Sequence, residues 1–148
     1  MSDQIPKEQR ITKVIDFRPS METLNAVVIL LDKGPVEKPA GLDVSICPSL
    51  VADSTASVHC KLWAEEVGAL HPGDILKVTN GLFMASNHGR EFFLKSGRKG
   101  RIEKIGEFCM LFSEAPNMSR VDWVPDPSNP KGLVPNFGKG GSMPLTPK

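Results

Sequence analysis

Apolar and polar residues alternate along much of this chain with the period of two that belongs to strands buried on one face. Ala56 to Trp63 is the clearest case: Val58, Cys60 and Leu62 fall on one side, His59, Lys61 and Trp63 on the other. In Ile75 to Met84, Leu76 and Val78 point one way and Lys77 and Thr79 the other, and Phe92 and Leu94 stand opposite Glu91, Phe93 and Lys95. Leu24 to Leu31 is rich in Val, Ile and Leu and stops at the turn signal Asp32-Lys33-Gly34-Pro35. Leu42 to Cys47 alternates weakly before Pro48, which marks a bulge, an edge strand or a small insertion. Asp53-Ser54-Thr55, Pro72-Gly73-Asp74 and Asn87-His88-Gly89 read as turns. Glu65 to Leu70 has room for one or two helical turns, Ser96 to Arg101 reads as a basic loop, and Ile102 to Phe112 holds a further apolar segment.

About five strands, short turns and one small helix between the third and fourth predict an all-β fold. The count and order suit a five-stranded Greek-key barrel of the oligonucleotide-binding (OB) kind, in which one face carries the ligand. An immunoglobulin-like sandwich would need about seven strands and a Cys–Trp–Cys framework. The 148 residues are expected to form one domain over residues 1–119, with about ten flexible residues at its start. From Arg120 to Lys148 six prolines and four glycines occur in 29 residues, a composition that predicts a disordered or extended tail. Trp123 and Phe137 stand out in it, either folding back on the domain or forming a short docking motif.

Charge changes the picture. Between Lys77 and Lys104 seven basic side chains meet only Glu91 and Glu103, a surplus of five in a chain whose total is +1. Rings lie among these cations. A polyanion with stackable bases suits such a surface, because cations neutralise phosphates and rings receive bases. The alternation places Trp63 and Phe93 on the polar face as base platforms, with Phe83 either a third platform or a ring that closes the barrel. Lys61, Lys77, Lys95, Arg98, Lys99 and Arg101 are the candidate phosphate contacts. With no recognition helix in the pattern, a single strand is the expected ligand, DNA first and RNA as the alternative.

Other classes are disfavoured. Cys47, Cys60 and Cys109 form no CxxC pair, and Cys60 and Cys109 read as buried free thiols. His59, His71 and His88 fall in different predicted elements, so neither a zinc site nor another cofactor is expected. Neither His59-Cys60 nor Asp53-Ser54 comes with an oxyanion loop, and an enzyme is not expected. The longest apolar run, Ala26 to Leu31, has six residues, far from the roughly 20 that span a bilayer, so no membrane is expected. The polar start Met1 to Arg10 lacks a secretory pattern, which points to the nucleus or cytosol.

Several segments resemble the family of simple single-stranded DNA-binding proteins, each with one OB-fold, that serve as the DNA-binding members of the SOSS complex. These are Leu62-Trp63, Pro72-Gly73-Asp74-Ile75, Gly97-Arg98, Lys104-Ile105-Gly106-Glu107-Phe108-Cys109 and Ser113-Glu114-Ala115-Pro116-Asn117, with Val51-Ala52-Asp53 and Thr55 resembling the turn before the third strand. The resemblance covers Leu24 to Asn117. It implies single-stranded DNA binding, a nuclear role in genome maintenance and DNA repair, and assembly with a larger protein scaffold. By position, Trp63 matches the family's stacking tryptophan and Gly97-Arg98 its basic loop; where the family usually has tyrosine, this chain has Lys95. The expected docking region for a protein partner is the OB-fold itself, or residues 107–117 with the tail. That substitution also leaves room for an interaction module of a larger assembly whose nucleic-acid binding is weakened.

Overall fold

The computed structural model describes residues 10–41, 43–85 and 91–137. Five strands, β1 (Met21–Lys33), β2 (Ile46–Ala52), β3 (Ser57–Trp63), β4 (Asp74–Ala85) and β5 (Phe92–Glu107), close into a barrel in the order β1-β2-β3-β5-β4. One short helix, α1 (Glu65–Ala69), joins β3 to β4. The predicted all-β barrel with a helix between the third and fourth strands is therefore the observed one. Neighbouring strands run antiparallel except β3 and β5, which pair in parallel with Cys60 beside Leu94. The flexible start and the Asn87-His88-Gly89 turn are expected at residues that fall largely or wholly outside the described ones.

Inward residues of the strands build one core: Leu24, Ala26, Val28 and Leu30 from β1, Val58, Cys60 and Leu62 from β3, Leu76 and Val78 from β4, and Leu94 from β5. Val14 and Phe17 join it from a 3-10 turn at Val14–Asp16. Asp53 anchors that turn. Its buried carboxylate accepts the Val14 amide at 2.9 Å and the Thr55 amide at 2.8 Å, as well as the Thr55 hydroxyl. Paired this fully, a buried carboxylate holds the turn between β2 and β3 against the chain's start without an orphaned acceptor.

Four local expectations change. Pro48 does not break β2. The strand runs through it, and the Pro48 carbonyl accepts the Gly34 amide at 2.7 Å just past the end of β1. In a strand one residue's N–H and C=O face the same neighbour, so the missing proline donor falls where β1 has already ended. Ser96 to Arg101 is not a loop between strands, nor is Ile102 to Phe112 a separate strand. The first lies wholly and the second partly within β5, in which residues 97–100 bulge opposite the single residue Asn80. A Cβ at Gly100 would lie 2.4 Å from the Asn80 carbonyl oxygen and one at Gly97 2.6 Å from it, so glycine is required at both. Cys109 is exposed rather than buried, because β5 has ended at Glu107, whereas Cys47 and Cys60 are buried.

Phe83 is the fourth difference. It is fully buried and closes the barrel instead of offering a base platform. The phase of β4 explains this: Leu76 and Val78 face inward, the register shifts between Thr79 and Gly81, and beyond the shift Gly81 and Phe83 face inward. Phe83 packs on Phe17 and Phe92, each at 5.5 Å between centroids, and on Trp123 at 6.1 Å. That last contact decides between the two alternatives for Trp123 in the tail from Arg120: it folds back on the domain. The tail's described part is extended, with β6 (Trp123–Asp126) paired to β7 (Asn129–Pro135). Phe137 is exposed.

Phe83→Ala is expected to remove about 3–5 kcal/mol, the usual range for emptying a buried aromatic site. Urea unfolding followed by circular dichroism measures it; a loss below about 1 kcal/mol would contradict the packing described.

Candidate nucleic-acid interface

The parallel seam between β3 and β5 sets the geometry. Because Cys60 and Leu94 are inward neighbours, the residues on either side of each face outward together. In this register His59 lies opposite Phe93 and Lys61 opposite Lys95, and the side chains meet along the diagonal, two residues back on β5: His59 with Glu91, Lys61 with Phe93, and Trp63 with Lys95. The contacts follow this grid. The Lys61 ammonium lies 4.1 Å from the Phe93 ring centroid, and the Lys95 ammonium 4.3 Å from the Trp63 ring. Each strand supplies the ring for one pair and the cation for the other. Such contacts contribute about 0.5–1 kcal/mol each at exposed sites. The antiparallel ladder to β2 adds Ile46, Pro48 and Leu50 opposite Trp63, Lys61 and His59, so the flank of this face is apolar.

Both rings are half-buried, and the Trp63 Nε1 edge is fully buried. What the indole offers outward is its π-face, beneath Lys95. Glu66 on α1 fixes this corner by accepting the Trp63 amide at 2.9 Å. Burial pushes the Glu66 carboxyl up, against the Trp63 amide, the Ser96 hydroxyl and the nearby Lys95 charge, which all favour its ionised form.

The remaining candidate cations divide. Arg98 and Lys99 are exposed at the tip of the β5 bulge, three and four residues beyond Lys95. Arg101 and Lys77 lie past the bulge. The Arg101 Nε is 3.3 Å from Glu103, and Lys77 faces the same Glu103 across the β4–β5 ladder, so one carboxylate offsets both. The structure thus brings Trp63, Phe93, Lys61 and Lys95 together, sets Arg98 and Lys99 near their strand, places Lys77 and Arg101 apart, and removes Phe83.

Sequence reasoning does not single out the acids. Glu91 sits 3.8 Å from the His59 Nδ1 and 3.6 Å from the Arg120 Nε, at the end of the outward row. Its place in the alternation is visible, but its pairing with a residue 29 positions away in the tail segment is not. Glu66 follows Trp63 by three residues, the spacing of a capping acid, and that signal could have found it.

The chain resembles the solution structure of a hypothetical protein from Arabidopsis thaliana with a TM-score of 0.67 at 20% identity, covering 87% of this chain and 97% of that one. The replication factor A related protein of Methanobacterium thermoautotrophicum matches with a TM-score of 0.52 at 14% identity, over 68% of this chain and 96% of its own. The OB domain of a Thermoplasma acidophilum protein matches with a TM-score of 0.54 at 17% identity, over 70% and 93%. The barrel is an OB-fold. No family model matches the chain.

Burial holds the His59 imidazole below its ordinary value of 6.5, with Arg120 adding to the effect and Glu91 opposing it. Just below pH 6.5 the unfolded chain therefore binds a proton that the OB-fold resists, so stability contributed by this group falls as pH falls through that window. Urea midpoints measured across the window are expected to show a shallower pH dependence for His59→Gln than for the wild type. Identical slopes would contradict the assignment.

Proposed function

We propose that this OB-fold binds single-stranded nucleic acid, DNA in the first place, across the outward face of β3 and β5, and that binding rather than catalysis is its activity. The observation that carries the reading is the alternation of two rings and two ammonium groups on one exposed face. Bases would stack on Trp63 and Phe93, while Lys61, Lys95, Arg98 and Lys99 meet phosphates. Stacking tolerates any base, and nothing on the face resembles a helix that enters a duplex groove. The likeness to the motifs of the SOSS DNA-binding family supports single-stranded DNA as the ligand and a nuclear role in genome maintenance and repair. One structural neighbour carries a name that relates it to replication factor A, which agrees with that direction.

A labelled oligo-dT titrated at several salt concentrations tests the proposal. Four cations each meeting a phosphate give a slope of log affinity against log salt of about −3. Trp63→Ala is expected to weaken binding by about 1–3 kcal/mol, the range for losing one stacked base. Absent binding at low salt, or an unchanged affinity for the variant, would sink the reading.

A second reading, an interaction module of a larger assembly, is favoured by a separate observation. Towards and beyond the end of β5 the chain exposes Ile105, Phe108, Leu111 and Phe112, with Phe108 73% and Leu111 85% accessible. Several large apolar side chains exposed in one short stretch mark a protein-binding surface more readily than a nucleic-acid one. This stretch overlaps the 107–117 region proposed for a scaffold partner. Leu111→Asp is expected to reduce recovery of a partner in affinity purification while leaving the melting temperature and the oligo-dT affinity unchanged. Undiminished recovery would count against that surface.

A further inference from the structure

We propose that Lys61 and Lys95 make the two rings more readily available to ligands with an anionic backbone than to neutral ones, so that stacking is gated by phosphate. The inference rests on the single-strand reading and concerns how its site chooses ligands. Each ammonium lies directly over the π-face that a base would need, 4.1 Å from the Phe93 centroid and 4.3 Å from that of Trp63. Both rings are half-buried, so the ring area left for a base is limited and the ammonium covers part of it. A base and an ammonium cannot occupy that volume together.

What happens to the displaced ammonium decides the outcome. Among the described residues, Lys61 and Lys95 have no carboxylate within ion-pair distance, whereas Arg101, Lys104 and Arg120 do. For Lys61 the ring is the contact that positions the ammonium, and for Lys95 the ring is joined by the charge of nearby Glu66. A phosphate beside an arriving base offers the ammonium a charge-assisted hydrogen bond, which is stronger than the contact with the ring. Lysine suits the task because its charge is compact and its stem flexible, so the head moves while the stem stays packed. A neutral aromatic ligand offers no such exchange. It must displace the ammonium from the ring into water without supplying a new ionic partner, and so gives up the ring–ammonium contact.

Selectivity follows from this coupling. Free nucleobases, nucleosides and other uncharged aromatic molecules lose the ring–ammonium contact on stacking, while a phosphodiester strand replaces it as it docks. Because the strands supply cation and ring in a crossed pattern, a phosphate that draws Lys95 from Trp63 engages the strand that carries Phe93. The ring and the cation then act as one unit, and removing both members of a pair is expected to be non-additive.

The test compares an oligo-dT with a methylphosphonate strand of the same sequence and length, whose backbone is uncharged. Both are titrated into the wild type and into the variant carrying Lys61→Ala and Lys95→Ala. In the wild type the phosphodiester is expected to bind well and the neutral strand poorly. In the variant the neutral strand should bind more tightly, by about two- to fivefold per uncovered ring, while the phosphodiester weakens and its salt slope shrinks by about 1.4. Wild-type binding of the phosphodiester, combined with unchanged or weaker neutral-strand binding in the variant, overturns the gating alone. No wild-type binding of the phosphodiester overturns the single-strand reading and the gating together. A measurement on the wild type needs no variant: ring currents should shift the ε-protons of both lysines upfield in the free protein, and oligo-dT should relax those shifts. Shifts that stay fixed on binding overturn the gating.

Discussion

The parallel pairing of β3 with β5 is the constraint on which the candidate site depends. It closes the barrel, and its register, Cys60 beside Leu94, puts both apolar series inside. A slip of one residue along either strand would turn that strand's outward series into the core and its core series into water. Burial of Val58, Cys60, Leu62 and Leu94 therefore fixes more than stability. It also determines that a ring from each strand meets a cation from the other. The surface chemistry is a by-product of a register that the core enforces from below.

Around this seam the charges have distinct tasks. Glu66, raised by burial, props the corner under Trp63 and lies within electrostatic reach of Lys95. Glu91 gathers His59 and Arg120 at the other end of the row. Glu103 and Asp74 occupy Arg101 and Lys104 past the bulge. Among the described cations of β3 and β5, those without an ion-pair partner are the lysines beside the rings and the pair at the bulge tip. Overall the chain is close to neutral, yet these four cations sit on two paired strands, which suits steering of an anion to that face.

Much of this is legible in the chain because a half-buried strand writes its orientation with a period of two. The facing of β3 and the start of β5 can be read directly. Such reading fails where the phase slips. In β4 the irregularity at Asn80, whose φ is 53°, exchanges the two faces midway, so extending the Leu76 and Val78 phase sends Phe83 to the wrong side. At the other end composition leaves Trp123 open between folding back and a docking motif, and the choice is made by the distant rings it meets, Phe83 and Phe92. Local pattern carries no information about such long-range partners, and the same holds for Glu91 and Arg120.

The burial of two thiols and the exposure of the third has a practical meaning. Cys60 sits in the core, where burial drives its thiol far up, and Cys47 is likewise sealed. Cys109 alone faces solvent, just beyond the end of β5. The folded molecule thus carries one native attachment point for a maleimide dye or spin label, set beside the exposed apolar stretch and needing no engineered residue.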